Sequence, residues 1–368
     1  MEFIIEKKKL LECLNHFQSV VEKRNTIPIL SNIKIFSDNE SSLTFTATDL
    51  ALELSETVLA NVMKKGGFTV ASQLFFDLIR KAPDNCKITI THDEELKNAL
   101  VVFNNSKFNF PTMSIDDFPV MDKKDLNEKI DLDAKELKHL IDNCKFCMGV
   151  DESRQYLNGI FFHKSNDLVS TVATDGHRLS KCSLEKKVDL NFEGIIIPKK
   201  PVFEISKILD ESNEKVILTF SKTRLKVEIG EITLITKLIN STFPDYESVI
   251  PQEEDQIMQV DCKKFSETID RVSTISNEKF RTVKFKINEN LCVVSSSGND
   301  KSTGTESINV QYTGPEININ FNSRYILDVL SLIKDEAVSF NFTKNTSHKV
   351  LKSESFKNVL FLIMQMKS

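Results

Sequence analysis

The chain carries the same pattern of hydrophobic and polar positions three times. It begins with Phe3 and Ile5 alternating with polar residues, which is typical of a short, half-buried strand. Apolar residues then recur every three or four positions, which indicates an amphipathic helix. These positions are Leu10, Leu11, Leu14, Phe17 and Val21, then Leu137, Leu140 and Ile141 after Ile130 and Leu132, then Phe265, Ile269 and Val272 after Met258 and Val260. Because Leu10 and Leu137 are 127 positions apart and Leu137 and Phe265 are 128 apart, the sequence contains an internal repeat.

A second helix followed by an alternating strand repeats in the same way. Equivalent places are occupied by Phe76, Phe203 and Leu327 and by the acidic residues Asp77, Glu204 and Asp328. Hairpin-like runs lie between the two helices, and in the first two repeats these runs share Ala-Thr-Asp, at residues 47–49 and 173–175. Each repeat therefore spans about 125 residues, which is the length of a domain and not of a solenoid repeat.

Each repeat predicts two helices and about eight short alternating strands, with the helices separated from the hairpins. This arrangement is typical of an α+β fold with antiparallel sheets, in which each helix lays its apolar side on a sheet. We expect three tandem, similar domains, at residues 1–122, 129–250 and 257–368. The boundaries should lie in the polar stretches 121–128 and 251–256, which are rich in charge and lack apolar periodicity.

The charge of the chain seems at first to exclude nucleic acid. The 368 residues carry a formal net charge of −5 and give a pI near 5.8, whereas tight phosphate binding requires clustered Lys and Arg. Basic residues do recur on the predicted helices, but acidic residues are interleaved with them. They are Lys7, Lys8, Lys9, Arg80, Lys81, Lys135, Lys138, Lys199, Lys200, Lys207, Lys263, Lys264, Arg271, Arg324 and Lys334. Both a solvated helix face with internal ion pairs and a mildly basic surface repeated three times fit this pattern.

The seven cysteines indicate a reducing compartment, because an odd number scattered from Cys13 to Cys292 is not a disulfide framework. Cys144 and Cys147 form a lone CxxC, which we interpret as core filling near the end of a helix. The first residues contain no apolar signal core, and the apolar run Val359–Met364 is too short to span a bilayer. We therefore expect a soluble, cytoplasmic protein.

Motifs of enzymes are sparse. The sequence has no GxGxxG, Walker-type, HExxH or GxSxG motif and no paired Cys-His signature, so we expect no cofactor and no metal. One segment draws attention, because Asp175, His177 and Arg178 lie within four residues. They could decorate a turn between strands, form the active site of a hydrolase or transferase, or bind a peptide beside Leu179.

Five segments carry a resemblance to a known family. They are Arg24 with the following IPILSN at 27–32, YLNG at 156–159, ATDGHRL at 173–179, FPDY at 243–246 and SNEKFR at 276–281. In these segments and in its three repeats, the whole chain resembles the bacterial β sliding clamps, the processivity subunits of DNA polymerase III. The resemblance implies a head-to-tail homodimer that forms a ring of six similar domains, with helices lining a hole for duplex DNA. It also implies no catalytic site, no sequence-specific binding, and the polymerase, an ATP-dependent clamp loader and repair proteins as partners.

The resemblance assigns three sets of site residues. The family's pocket for short peptides with Gln and aliphatic or aromatic residues falls on Leu157, Thr174, Gly176, His177, Arg178, Leu179, Pro244, Val249, Thr346, His348, Leu362, Met364 and Met366. Residues expected to face DNA are Arg24, Arg80, Arg154, Tyr156, Lys199 and Lys200. The dimer contact is expected to join Lys107, Phe108 and Phe110 of one chain to Thr274 and Ile275 of the other.

The sequence departs from the family's common residue types in both binding regions. Ser248 and Gln365 differ at the pocket, and Asp151 and Gln155 differ in a DNA-contacting loop. The acidic loop at the family's dimer interface is weak here, since Asp300 and Glu306 stand among Ser, Thr and Gly. We therefore expect a shifted ranking of partner peptides and a dimer that depends less on charge.

Overall fold

In the computed structural model, the described residues of the first third form nine strands and two α-helices. The structure describes residues 1–22, 26–122, 126–165, 167–187, 192–210, 212–251, 256–277, 280–342 and 348–366. The elements of this third are β1 (Glu2–Glu6), α1 (Lys7–Phe17), β2 (Asn32–Ser37), β3 (Ser42–Thr48), β4 (Leu52–Leu59), β5 (Asn61–Lys64), β6 (Gly66–Ala71), α2 (Ser72–Lys81), β7 (Lys87–Asp93), β8 (Asn98–Phe103) and β9 (Ser106–Met113).

The other two thirds repeat this plan, with eight strands and two helices each among the described residues. The second contains β10 (Glu128–Asp133), α3 (Ala134–Asp142), β11 (Gly159–Ser165), β12 (Leu168–Thr174), β13 (Arg178–Lys187), β14 (Ile195–Pro198), α4 (Lys199–Asp210), β15 (Lys215–Phe220), β16 (Arg224–Ile229) and β17 (Ile232–Lys237). The third contains β18 (Ile257–Asp261), α5 (Cys262–Ser273), β19 (Thr282–Asn288), β20 (Leu291–Ser297), β21 (Thr303–Asn309), β22 (Ile317–Asn322), α6 (Ser323–Leu330), β23 (Ala337–Asn341), β24 (His348–Lys352) and β25 (Val359–Met364). The predicted α+β repeat is confirmed.

The periodic apolar residues of the helices are the ones that become buried. Leu10, Leu14 and Phe17 of α1 are fully buried, as are Phe265 and Ile269 of α5. α5 begins where its amide groups find a side-chain partner, because the Asp261 carboxylate accepts a hydrogen bond from the amide of Lys264 at 2.8 Å. α6 begins in the same way at Asn322. Burial of one helix face and capping of the first turn together explain why these segments are helical.

Contacts divide the chain into two compact units that do not coincide with its thirds. The first unit comprises Met1–Lys138 and Lys200–Leu238 and contains a 13-stranded antiparallel sheet. Its strand order is β10-β15-β16-β17-β4-β3-β2-β6-β9-β8-β7-β1-β5. Within it β17, from the second third, pairs with β4, from the first, so the sheet is continuous between two repeats.

The second unit comprises His139–Lys199 and Ile239–Ser368 and contains two antiparallel sheets. The larger has the order β14-β11-β12-β13-β25-β24-β23-β18, and the smaller has the order β21-β20-β19-β22. Here β25 of the last third pairs with β13 of the second, with Leu179 opposite Leu362. Hydrogen bonding between strands of successive repeats therefore builds both units.

Two details of the sequence prediction can be placed on this fold. Cys144 and Cys147 are buried and free, which confirms that they fill the core, although Cys144 lies beyond the end of α3 and Cys147 lies in a 3-10 turn. All seven cysteines are free and buried. The two predicted domain boundaries fall partly outside the described residues, at 123–125 and 252–255.

Candidate functional site

The turn between β12 and β13 is held together by the side chains of Thr174 and Asp175. The Thr174 hydroxyl donates to the carbonyl of Arg178 at 2.7 Å and accepts from the amide of Gly176 at 3.1 Å. One oxygen of the Asp175 carboxylate accepts from the amides of His177 and Arg178 at 2.9 and 3.0 Å. Gly176 has a φ of +88°, a backbone conformation that residues with a side chain rarely adopt. These contacts give the turn one defined shape.

A cavity of about 260 Å³ lies beside this turn, within the second unit. Its lining residues are Tyr156, Leu157, Thr174, Gly176, His177, Arg178, Leu179, Pro244, Asp245, Tyr246, Val249, His348 and Leu362. Several of them belong to a buried apolar cluster that includes Leu157, Leu179, Tyr246 and Leu362, with Val249 packed against it. An apolar floor with polar groups at its rim suits short peptides with apolar side chains.

Tyr246 forms a wall of the cavity and is fixed from behind. Its hydroxyl lies 3.2 Å from Nε2 of the buried His163 and donates to the Glu247 carboxylate at 3.2 Å. The Lys181 ammonium lies 5.2 Å from the centre of the Tyr246 ring. Burial, reinforced by the Glu247 carboxylate, raises the pKa of Tyr246, so its hydroxyl stays protonated and can donate. Phe243 stacks on Phe161 with ring centres 4.8 Å apart, which anchors the start of the same wall segment.

His348 adds a polar group whose charge depends on pH. It lies opposite Met364 in the β24–β25 pair and lines the cavity. Burial, with a smaller contribution from the neighbouring Lys349 ammonium, lowers the pKa of His348 from its ordinary value of 6.5. The imidazole is therefore neutral at pH 7, and the cavity presents an uncharged ring to its ligand.

Arg178 reaches the cavity, but its guanidinium is already engaged. Nε donates to the Asp175 carboxylate at 3.0 Å, and Nη1 donates to Asp328 at 2.5 Å. The guanidinium also lies over the rings of Phe146 and Tyr325, at 5.3 and 4.6 Å from their centres. The positive charge of Arg178 is thus largely neutralised by two carboxylates within the protein. At the rim of the cavity, the side chain contributes more to shape than to charge.

The structure brings ten of the thirteen predicted pocket residues together around this cavity. Of the other three, Thr346 lies outside the described residues. The Met364 amide donates to the carbonyl of His177 at 2.8 Å, so Met364 lies directly behind the turn. Met366 lies further away, where its amide donates to Asn320 and the Thr282 hydroxyl lies 3.7 Å from its sulfur.

The predicted DNA-facing residues have varied surroundings. Arg24 lies outside the described residues. Arg80 is exposed and pairs with Asp77 on its own helix at 3.1 Å, whereas the Lys200 ammonium contacts Asp49 at 2.6 Å. Lys199 begins α4, and its amide donates to the carbonyl of Asn158. Thus Arg80 and Lys200 each have an acidic partner within the chain, as does Arg154.

The resemblance assigns two residues of the loop before β11 to DNA binding, but both lie at or near the cavity. Tyr156 lines the cavity, and the Arg154 guanidinium lies 2.9 Å from where a side chain on Gly176 would begin. Arg154 also pairs with Asp151 at 2.9 Å. Hydrogen bonds from Ser153 and Arg154 lower the pKa of Asp151 to about 2, so this residue is an ionised cap of the short 3-10 helix that follows.

The residues predicted for the dimer contact belong to two separate surfaces. Lys107 and Phe108 are exposed on β9, and Phe108 stacks on Phe103 with ring centres 5.5 Å apart. Phe110 is buried and packs edge-on against Phe75. On the other surface, Thr274 is exposed just after α5 and Ile275 is half-buried.

The side chains at the turn are poorly arranged for catalysis. Both oxygens of Asp175 and the hydroxyl of Thr174 are occupied by the contacts that shape the turn. His177 stacks on Tyr325 with ring centres 6.3 Å apart. Among the described residues, no group of three or more His, Cys, Asp or Glu side chains could hold a metal ion. The helices in the described ranges also lack any segment long and apolar enough to cross a membrane.

Sequence reasoning did not assign Tyr156, Asp245 or Tyr246 to the cavity, nor Asp328 to its support. The FPDY segment that contains Asp245 and Tyr246 was recognisable as a motif, and its Pro244, which the resemblance assigns to the pocket, lines the cavity. Asp328 stood out as a repeated acidic position, but no local signal links it to Arg178, which lies 150 residues earlier.

Comparisons with known proteins agree over the whole chain. Three domain models of the DNA polymerase III beta subunit match: the N-terminal domain at residues 1–122, the central domain at 131–245 and the C-terminal domain at 247–367. The beta sliding clamp of Caulobacter vibrioides (strain NA1000 / CB15N) is 33% identical over 372 residues, and that of Escherichia coli (strain K12) is 30% identical over 368 residues. A Bartonella birtlesii DnaN sliding clamp, solved with griselimycin bound, has a TM-score of 0.96 at 33% identity. The Pseudomonas aeruginosa DNA polymerase III subunit beta has a TM-score of 0.94 at 29% identity. In all four cases 100% of both chains is covered.

Proposed function

This chain belongs to the DNA polymerase III beta subunit family, the bacterial sliding clamps, and we propose that two copies close head to tail into a ring around duplex DNA. The family is a non-catalytic processivity factor that tethers the polymerase to DNA, and it has the three-domain α+β fold described above. The hydrolase or transferase alternative finds no support in these relatives. The full-length match to solved clamps is the observation that carries the function.

A ring explains how an acidic chain can act on DNA. A clamp linked topologically to DNA needs no tight phosphate contacts, and strong contacts would slow its sliding. The net charge of −5 and the cations paired within the chain, such as Arg80 and Lys200, fit weak contacts. We propose that Arg24, Arg80, Arg154, Lys199 and Lys200 contribute a mild positive potential without reading bases. Tyr156, as a cavity residue, is better suited to the pocket than to DNA.

We propose that the cavity at residues 174–179 is the docking site for partner peptides. Its apolar floor would receive aliphatic and aromatic side chains, while the hydroxyl and main-chain groups at its rim would position the peptide. The polymerase, an ATP-dependent clamp loader and repair proteins would compete for it through short motifs that contain Gln. Ser248 hydrogen-bonds to the carbonyl of Asp245 on the same wall, so a change of residue type there would alter the preference among peptides.

The proposed dimer contact is supported by unpaired strand edges. Residues 106–111 of β9 pair with β8, whereas on the other side of β9 pairing begins only at Thr112. β21 is an outer strand of its four-stranded sheet. Exposed backbone groups of this kind pair readily with a strand of another chain. The exposed Phe108 would add apolar contact next to Ile275 of the second copy.

The dimer should depend little on charge. Glu306, one of the two acidic residues near this edge, accepts hydrogen bonds from Arg271 at 2.7 Å and from Thr268 at 3.0 Å within its own chain. Asp300 accepts hydrogen bonds from Ser302. Sedimentation should therefore show a similar dimer fraction between about 0.1 and 1 M salt, where screening grows strongly. Strong dissociation by salt would contradict this expectation.

Release from linearised DNA tests the ring. The protein is loaded onto nicked circular DNA by a clamp loader, unbound protein is removed, and the circle is then cut once. We expect the clamp to leave after the cut and to remain when the new ends are blocked by bound protein. Retention that cutting does not change would contradict a topological link.

A further inference from the structure

We propose that Asp328 on α6 is a positioning residue for the peptide pocket, acting through the Arg178 guanidinium. Asp328 does not line the cavity, but it holds a side chain that does. The inference rests on the proposed docking of peptides at this cavity. It extends that proposal from the groups that touch the peptide to a residue of the third repeat that keeps them in place.

The contact joins the second repeat to the third. Arg178 lies at the start of β13 in the second repeat, and Asp328 lies on α6 in the third. The Arg178 side chain is only 11% exposed and has two carboxylate partners, Asp175 in its own turn and Asp328 on α6. A guanidinium offers several donors in a fixed plane, so it can bridge two carboxylates at once.

Aromatic rings complete the cage around this cation. Phe146, from the second repeat, and Tyr325, from α6, each lie over the guanidinium. Tyr325 also stacks on His177, the neighbouring residue of the turn. α6 therefore contacts two adjacent residues of the turn, His177 and Arg178. These contacts fix the side of the turn that faces the cavity.

Among the described residues, two arginines have ion-pair contacts with Asp328. Its carboxylate lies 2.5 Å from Arg178 Nη1 and 4.0 Å from Nε of Arg324, which is exposed on the same helix. Asp175 contacts Nε of the same guanidinium, and the nearby Cys147 thiol is neutral because burial raises its pKa. Without the Asp328 charge, the cation would keep Asp175 as its carboxylate partner in a largely buried place, where loss of one ion partner is costly.

The equivalent acidic residues of the other repeats have different roles. Asp77 pairs with Arg80 on its own helix in an exposed position. Glu204 accepts a hydrogen bond from the Ser19 hydroxyl at 2.6 Å. Of these three matched positions, Asp328 is the one that reaches a turn bordering the peptide cavity. All three repeats thus have a carboxylate at this helix position, and in the third repeat it supports the pocket.

The test measures peptide affinity in matched variants of the full-length protein. The probe is a fluorescein-labelled pentapeptide with Gln first and Leu-Phe last, and binding is followed by fluorescence anisotropy. Asp328→Asn keeps the shape of the side chain and removes its charge, and we expect affinity about tenfold weaker. Asp328→Glu keeps the charge and should restore affinity to within about threefold of the unmodified protein. Asp270→Asn, at an exposed position on α5, is the control and should bind normally.

A double-mutant cycle separates positioning from general stability. In an Arg178→Ala background, Asp328→Asn should cause no further loss of affinity, because its route to the pocket is gone. A merely structural role would give the same additional loss in both backgrounds. Equal affinity of Asp328→Asn and the unmodified protein would overturn the positioning role and leave the pocket proposal standing. Failure of the unmodified protein to bind the peptide would overturn the pocket proposal and this inference with it.

Discussion

The turn at residues 48–52 in the first repeat and the turn at residues 174–178 in the second have the same backbone hydrogen bonds but different surroundings. In the first, the Thr48 hydroxyl donates to the carbonyl of Leu52 at 2.8 Å, and the Asp49 carboxylate accepts from the amides of Ala51 and Leu52. The second repeats each of these contacts with Thr174 and Asp175. The shared Ala-Thr-Asp segment therefore fixes the shape of the turn wherever it occurs.

The two turns also receive the same support from the strand that follows in the next repeat. The Lys237 amide donates to the carbonyl of Ala51 at 2.9 Å, and the Met364 amide donates to the carbonyl of His177 at 2.8 Å. A helix of the next repeat contributes an ion pair in both cases. In the first turn Lys200 pairs with Asp49, whereas in the second Arg178 stands within the turn and Asp328 comes from the helix.

The proposed docking site lies at the second turn, so the difference between the turns locates the features that such a site would need. Both repeats contain the turn and its supporting strand, so neither feature explains the pocket by itself. The second turn differs in having Gly176 where the first has Leu50, and Arg178 where the first has the buried Leu52. Changes at the second turn or at its supporting contacts should therefore affect peptide binding, whereas changes at the first turn should not.

The largest effect should come from removing residues 364–368. This truncation deletes the hydrogen bond to His177 and the pairing of Met364 with His348, which together form the back of the second turn and one edge of the cavity. We expect peptide affinity to fall by more than about a hundredfold, because the pocket loses the end of its supporting strand β25 and the contacts that Met364 makes there. Anisotropy measures the affinity, and sedimentation should show an intact dimer. Undiminished peptide affinity would refute the assignment.

The next largest effect should separate the two ion pairs. Arg178→Ala leaves the Asp175 and Asp328 carboxylates half-buried without their cation, so we expect a stability loss of about 3 kcal/mol. Lys200→Ala removes a cation whose side chain is 37% exposed and leaves one carboxylate, Asp49, which still accepts two amide hydrogen bonds, so we expect a loss of about 1 kcal/mol. Chemical denaturation of both variants provides the comparison. Equal losses would mean that the second turn is held no more tightly than the first.

Exchanging the residue at the top of each turn should have a moderate effect. A side chain on Gly176 meets a positive φ and begins 2.9 Å from the Arg154 guanidinium, so Gly176→Leu should cost about 1 kcal/mol of stability. Its leucine would also crowd the cavity and weaken peptide binding about tenfold. Leu50→Gly relieves a φ of +73° and should change stability by less than about 1 kcal/mol. Normal peptide affinity in Gly176→Leu would place the ligand elsewhere.

The smallest effect should be a pH dependence of peptide binding beside the second turn, where His348 of β24 lines the cavity. The pKa of His348 is lowered by burial, so its neutral form is favoured in the folded protein and protonation opposes burial of the ring by a ligand. Affinity should be constant above pH 6.5 and fall a few-fold as the pH drops below the lowered pKa. His348→Gln should flatten this profile. An unchanged profile in that variant would assign the dependence to another group.

The sequence predicted much of the fold because local periodicity and the repeats agree. Leu10, Leu137 and Phe265 occupy equivalent helix positions and are all buried. The Ala-Thr-Asp segments gave the positions of both turns. The pairing of β4 with β17 and of β13 with β25 escaped prediction, because strand pairing between repeats depends on exposed edges that no local pattern reveals.

The site was predicted less completely than the fold, for a similar reason. Resemblance assigned Leu157, Leu179 and Leu362 to one pocket, where the structure places them around one cavity. The sequence did not reveal that Tyr156 turns towards this cavity. Nor did it reveal that two carboxylates engage the guanidinium of Arg178. The orientation of Tyr156 and the partners of Arg178 depend on contacts between residues far apart in sequence. Composition does not reveal such contacts.

Hydrogen–deuterium exchange on the full-length protein, with and without the labelled pentapeptide, tests most directly the claim that the second turn alone became a docking site. Both turns have equivalent backbone hydrogen bonds, so the first serves as an internal reference. We predict that the peptide slows exchange at residues 174–179 and leaves residues 48–52 unchanged. Slower exchange at 48–52, or none at 174–179 under saturating peptide, would contradict the account.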